Sequence, residues 1–337
     1  MRRLLTRLPI DPYLLGLLAT VGAAFLFPAR DRGAEVADVV TYAAIVLLFF
    51  LYGARLSPTN VVQGISHWRL QGFVLLLSFV LFPVLGLILT LALRNVVDGT
   101  LLMGLMFVCV LPSTVQSSIA FTSIARGNVA AALCSASVSN LLGVVLTPLL
   151  VGLLMNAHGA ALSLDSLKDI ALQLVAPFAA GQLLRPWINS WLSRHRGILG
   201  YVDRGSILLV VYGAFSHGVV SGVWQQVGLE DLGVIILLDS LLLAIVLSAS
   251  AYLSRRFGFE KEDEIAIVFC GSKKSMASGI PMANILFQGM PVGLIVLPLM
   301  LFHQLQLFAC AAIARRYASR RPTEETPVAP AQASLRA

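Results

Sequence analysis

The chain has 337 residues, of which 58% are hydrophobic and only 12% charged, and its formal net charge is +7. Soluble domains carry about 25% charged residues. Here the apolar residues come in blocks of about 20 that are apolar all round, with a mean hydropathy of +0.85, so a soluble globular domain is excluded. The basic excess lies in loops and at the ends, which excludes a nucleic-acid-binding surface.

In chain order, hydropathy predicts spans at 10–28, 36–54, 69–93, 99–126, 128–155, 165–186, 204–224, 232–254, 263–288 and 291–314. The first block follows a basic lead but runs on too long for a cleavable signal and lacks a small-residue exit, so it reads as span one. The segment 318–337 is rich in Pro, Ala, Thr and Glu and reads as a disordered cytoplasmic tail. The expected fold class is therefore an all-α integral membrane protein with ten transmembrane helices.

Orientation follows from the Lys and Arg residues. With ten spans, 18 of the 24 lie on the side of the termini, at positions such as Arg55, Arg69, Arg126, Arg204, Arg255 and Arg315. Four lie opposite (Arg30, Arg32, Arg94 and Lys168), and Lys273 and Lys274 fall inside span nine. The positive-inside rule then predicts both termini in the cytoplasm and a multi-pass protein of the cell (inner) membrane. Ten divides into five and five, and a second odd set enters from the opposite side. This is the arithmetic of an inverted repeat, with units 1–156 and 157–317.

Two spans in matching positions are interrupted. In span four an apolar run stops at Leu111, and Pro112 opens the polar patch Ser113, Thr114, Gln116, Ser117 and Ser118. A second helix resumes and ends at Arg126-Gly127-Asn128, which reads as a cap and turn. In span nine the break is Gly271-Ser272-Lys273-Lys274-Ser275, followed by Gly279 and Pro281. Proline removes a backbone donor and disfavours helix just before it. Freed backbone groups at membrane depth must line a cavity or be buried in protein.

Two adjacent lysines are too costly to face lipid, at roughly 2.5–3.5 kcal/mol each. Both breaks are therefore expected to meet near the membrane centre, with two half-helix N-termini and the lysines forming an electropositive pocket for an organic anion. Nearby oxygens could ligate a hard cation.

Other intramembrane polar residues are weighed individually. Asp239 in span eight is expected to be neutral or paired with Lys273 or Lys274. Ser135, Ser137, Ser139 and Asn140 in span five read either as site groups or as small-residue helix packing. His303, Gln304 and Gln306 in span ten and His217 in span seven divide in the same way. Gln173 and Gln182 read as interhelical hydrogen-bonding groups. Cys109, Cys134, Cys270 and Cys310 have no metal-ligand spacing and read as buried small hydrophobes.

The segments LPSTVQSSIAFTSIARGN, continuing through a Ser-rich helix to TPLL, and CGSKKSMASGIPMANILF resemble the bile acid:sodium symporter family, solute carrier family ten. The second is similar to the signature of its member-seven-type branch, here in a bacterial form. The resemblance covers essentially the whole chain. It implies a core and a panel domain, discontinuous crossing helices four and nine, and two sodium sites at the crossing. Ser117 and Ser118 match the span-four sodium pair.

Ala132 and Ala136 stand where the family has hydroxyl ligands, Ser272 falls near its sodium-coordinating Glu, and Met276 near the following Gln. One lysine is expected where a sodium ion sits in relatives. The expected function is thus secondary transport of a small organic anion, with no resident cofactor. Na⁺ or H⁺ is the candidate coupling ion, with proton-coupled or uncoupled transport favoured over sodium coupling. The alternative is a non-transporting regulator of ion or lipid homeostasis. An enzyme is not expected, because no paired-Asp, Ser/His or HExxH set lies inside the spans.

Overall fold

A computed structural model describes residues 12–55, 67–155, 164–226 and 228–319. The described residues are helical throughout, with no strand. In chain order the helices are α1 (Pro12–Leu26), α2 (Arg32–Arg55), α3 (Trp68–Leu93), α4 (Gly99–Val110), α5 (Val115–Ile124) and α6 (Val129–Met155). There follow α7 (Leu164–Arg194), α8 (Arg196–Val220), α9 (Leu229–Arg256), α10 (Lys261–Gly271), α11 (Met276–Leu286) and α12 (Val292–Ala318). Six of these are long and apolar enough to cross a membrane, and α4 with α5 makes a seventh span bent by 61°. The predicted tail, from 320 on, lies outside the described residues.

Boundaries differ from the hydropathy in two places. Helix α8 starts at Arg196, eight residues before the predicted 204, and α7 runs on to Arg194 through Pro177 and Pro186. Hydropathy sees only the apolar stretch of a helix, and both of these extend into polar sequence.

Caps account for the sharpest ends. Asp98 accepts from the Thr100 and Leu101 N–H groups at 2.8 and 3.2 Å and starts α4. Helix α5 ends in a Schellman motif: Gly127 N–H donates to Thr122 O at 2.8 Å and Arg126 N–H to Ser123 O at 3.1 Å. The left-handed residue is Arg126, at φ 57°, rather than Gly127. The glycine is needed for space instead, because a Cβ on it would run into Ile265. Asn128 then fixes the turn to the start of α10, through its N–H on Glu262 O at 2.9 Å and its Nδ2 on Asp263 at 2.8 Å.

The sequence half-helix, four-residue break, half-helix, 27-residue helix occurs twice, as α4–α6 and α10–α12. These elements pack with α3 and α9 into one group. In a second group α2 lies along α7 and α8, with α1 on α8. Helices α2 and α7 approach backbone to backbone. A Cβ on Gly53 would overlap the Phe178 carbonyl, and one on Gly181 the Phe50 carbonyl.

Gly181→Ala is expected to cost about 1–3 kcal/mol, read as a lowered thermal midpoint in detergent. Gly22→Ala in α1, whose Cβ would meet nothing within 4 Å, is expected to be neutral or slightly stabilising. Equal losses in the two variants would refute this packing account.

Candidate functional site

The two breaks meet. Ser275 N–H in the second donates to the Pro112 carbonyl in the first at 2.9 Å. Asn140 on α6 bridges them as well. Its Nδ2 donates to Ser113 O at 2.6 Å and Ala136 O at 3.0 Å, and its Oδ1 lies 3.1 Å from Ser278 Oγ.

The end of α4 is the critical point, because Pro112 stops the helix and leaves its last carbonyls without backbone donors. Each finds another partner. Thr147 Oγ1 donates to Val110 O at 2.8 Å. Lys274 Nζ donates to Cys109 O at 2.8 Å and to Leu111 O at 2.7 Å. Ser113 N–H, the natural donor to Cys109, turns instead to Ser139 Oγ at 3.0 Å.

The third hydrogen of Lys274 goes to Ser78 O at 2.9 Å. This carbonyl is free for a local reason. Residues 77–81 of α3 form a π-helical turn in which Phe82 N–H reaches back to Leu77 O. The next residue is Pro83, which has no N–H to offer Ser78. The ammonium thus has three donors and three carbonyl acceptors, and it also lies 4.0 Å from the centre of the Phe82 ring. Charge-assisted bonds contribute about 1.5–3 kcal/mol each. Three of them match the several kcal/mol that burying an ammonium costs.

The backbone of Lys274 is held too. Its N–H donates to Gln306 Oε1 at 2.9 Å, and Gln306 Nε2 donates to its carbonyl at 3.0 Å. Gln306 Nε2 also lies 2.9 Å from His303 Nδ1, which makes Nδ1 the acceptor.

Lys273 differs. It is fully buried, 3.9 Å from the Phe121 ring centre and 5.6 Å from that of Phe269, and its Nζ has no hydrogen-bond partner among the described residues. Asp239 is fully buried on α9, and neither carboxyl oxygen has a hydrogen-bond partner among the described residues. Of the two readings of Asp239, neutral or paired, the pairing is not seen: no ion pair joins it to Lys273 or Lys274 among the described residues, and the Lys274 ammonium goes to carbonyls instead.

A cavity of about 460 Å³ lies between the two helix groups. Thr114, Gln116, Ser117, Asn140, Ser275 and His303 are among the residues that line it. The first residues of α5 and α11 form part of its wall. Thr114 makes no side-chain cap to α5, and the first N–H groups of a helix have no partner within it. The remaining predicted residues lie elsewhere. Ser113 and Ser135 are buried, with hydroxyls that have no partner among the described residues. Ser118 Oγ donates to Phe269 O at 2.9 Å, Ser272 Oγ donates to Val268 O at 2.6 Å, and Gln304 is half-buried on α12 outside the lining.

The lysines do not make the cavity electropositive, since neither lines it. Its charged groups are Arg55, Asp203 and Arg204 at the ends of α2 and α8, with Arg55 paired to Asp203. The sequence reading counted Arg55 and Arg204 only as orientation charges. Tyr52 and Ser278, which neither hydropathy nor proline singles out, line the cavity too, as does Ser137 of span five. The Tyr52 hydroxyl donates to Ala277 O at 3.2 Å, the carbonyl that Pro281 cannot serve.

The split between neighbouring serines gives a test. Ser117→Cys is expected to react with a water-soluble thiol reagent, and Ser118→Cys to react at least about tenfold more slowly, since thiol reactivity requires exposure. Equal rates would contradict the geometry.

Comparison with known proteins gives one family and consistent relatives. The model of the SBF-like CPA transporter family matches residues 11–319. A protein of Pseudomonas aeruginosa is 54% identical over 92% of this chain and 94% of its own length. The Escherichia coli K12 protein named "Putative symporter YfeH" is 52% identical over 94% of this chain and 95% of its own length. The rat sodium/bile acid cotransporter 7 is 29% identical over 90% of this chain and 92% of its own length.

Proposed function

Because the chain belongs to the SBF-like CPA transporter family, a family of the bile acid:sodium symporter type, we propose that this multi-pass membrane protein is a secondary transporter of an organic anion, bound in the cavity between the two helix groups. The observation that carries this reading is the cavity wall. It joins the uncapped N-terminus of α5 and the start of α11 to a facing wall that carries Arg204 and the Arg55–Asp203 ion pair. Helix N-termini and arginines both favour anions. Phe49, Phe178, Ile207 and Met282 supply apolar surface, and the volume suits a medium-sized organic molecule. The substrate class is therefore an amphipathic anion with one charged end.

We further propose ten spans in two inverted sets of five, with α4–α5 and α10–α11 as the crossing spans. The doubled order of elements supports this. The basic bias supports cytoplasmic termini in the inner membrane. On that orientation the Arg55, Asp203 and Arg204 end of the cavity faces the cytoplasm. The helix group of α1, α2, α7 and α8 would move against the other to alternate access.

Sodium is not the obligatory coupling ion in this reading. Ala132 and Ala136 offer no side-chain oxygen, and Ser272 turns to its own helix. Ser117 and Ser118 face different surroundings, cavity and α10 backbone. Transport coupled to protons, or uncoupled, remains the proposal. The regulator reading is not adopted, because the family is one of transporters.

Uptake by proteoliposomes across a panel of organic anions tests the proposal, with sodium and proton gradients imposed separately. A saturable anion flux that persists without sodium is expected, and Arg204→Gln should raise its half-saturation concentration by roughly tenfold or more, the scale of one charge-assisted hydrogen bond. Absence of flux for every anion, or flux that strictly requires sodium, would refute it.

A further inference from the structure

Three carbonyl oxygens from two separate helices converge on one point inside the protein. Ser78 O comes from the π-helical turn of α3, and Cys109 O and Leu111 O come from the end of α4. Each lacks a helical donor for a reason written in the sequence: Pro83 for the first, Pro112 and the turned-away Ser113 N–H for the other two. Such a cluster of inward carbonyls is a cation cage in its own right, of the kind that replaces an ion's hydration shell in a selectivity filter. What fills it is the fully buried Lys274 Nζ, which donates to all three carbonyls, as only the protonated amine can.

The distances identify the ion that the cage suits. Its oxygens stand 2.7–2.9 Å from the nitrogen. Small hard cations draw oxygens closer, to roughly 2.3–2.6 Å for calcium. A cage at the longer distance fits an ammonium group or an alkali ion of similar radius, potassium in particular. The Phe82 ring, with its centre 4.0 Å from the nitrogen, adds a face that also favours a large, weakly hydrated cation.

We propose that the carbonyls of Ser78, Cys109 and Leu111 form a monovalent-cation site that the chain fills with its own tethered ammonium. Removing the Lys274 side chain opens that site to free ammonium-type cations or potassium. The wild-type protein then needs no external cation to hold α3, α4 and the second break together. This holds whatever the neighbouring cavity carries, so it stands or falls separately from the transport reading.

The test is thermal unfolding of the purified full-length chain in detergent, at fixed ionic strength, in the chlorides of choline, sodium, potassium and methylammonium. The wild type is expected to unfold at the same midpoint in all four. Lys274→Ala is expected to unfold roughly 5–10 °C lower in choline. It should recover about half of that loss or more, saturably, in methylammonium and potassium, and less in sodium. Lys274→Met keeps a stem in the channel, so it is expected to unfold lower and to gain from none of the salts.

A saturable rise of the wild-type midpoint with any of these cations would overturn the proposal. So would recovery of Lys274→Met equal to that of Lys274→Ala, or a Lys274→Ala chain that stays unfolded in both methylammonium and potassium.

Discussion

The bond network around the Lys274 ammonium is the interaction on which the rest of the structure depends. A helix that stops inside a membrane leaves carbonyls that lipid cannot satisfy. Here the first break is closed atom by atom: Cys109 and Leu111 by Lys274, Val110 by Thr147, Pro112 by the Ser275 N–H and Ser113 by Asn140. Two of these five acceptors are served from α6 and the other three from the second break itself. Neither break can exist without the other, so the crossing is one cooperative unit rather than two kinked helices. The negative end of the α4 dipole faces a buried positive charge, the arrangement that dipole favours.

The N-terminal ends differ: Ser275 Oγ caps α11 by accepting from the Ser278 N–H at 3.2 Å, whereas Thr114 makes no side-chain cap to α5. The first turns of α5 and α11 have no corresponding charge, and both border the cavity. The crossing thus has two unlike sides: carbonyls and lysine on the buried side, hydroxyls and the first turns of α5 and α11 on the cavity side. Lys273 and Lys274 are neighbours in sequence but differ in role. One ammonium sits in three strong bonds and the other lies against the Phe121 and Phe269 rings, a contact worth about 2 kcal/mol when desolvated. Gln306 ties the second break to α12 through both its amide atoms. In the proposed transport cycle, a movement of the α1, α2, α7 and α8 group against the crossing would leave the hydrogen bonds within the breaks intact and part the Tyr52–Ala277 bond across the cavity.

Hydropathy, proline and charge made much of this legible. The six long spans and both breaks could be placed because a membrane helix advertises itself by length and a break by proline next to polar residues. Ser117, Asn140, Ser275 and His303 could be nominated because polar side chains at that depth need a reason. The π-helical turn at 77–81 could not be read, since it differs from an α-helix by one residue of register within a uniformly apolar block; Pro83 was the only trace. The direction of each lysine was also hidden. Sequence says that a buried ammonium needs acceptors, but not that the acceptors are backbone carbonyls rather than Asp239. Arg55 and Arg204 were visible only as charges that set orientation, because the approach of α2 to α8 is a tertiary fact.

The central claim is that the Lys274 ammonium rests on the carbonyls at the end of α4. Solid-state NMR on the full chain in lipid, with lysine side-chain nitrogens labelled ¹⁵N and cysteine carbonyls labelled ¹³C, measures this contact directly. The sequence has four lysines and four cysteines, which keeps the pairs few. A lysine nitrogen is predicted within about 4 Å of the Cys109 carbonyl carbon, the separation that a direct hydrogen bond to its oxygen requires. That signal should vanish in Lys274→Met and persist in Lys273→Met. A wild-type spectrum with no such contact, or one that disappears only in Lys273→Met, would contradict the account.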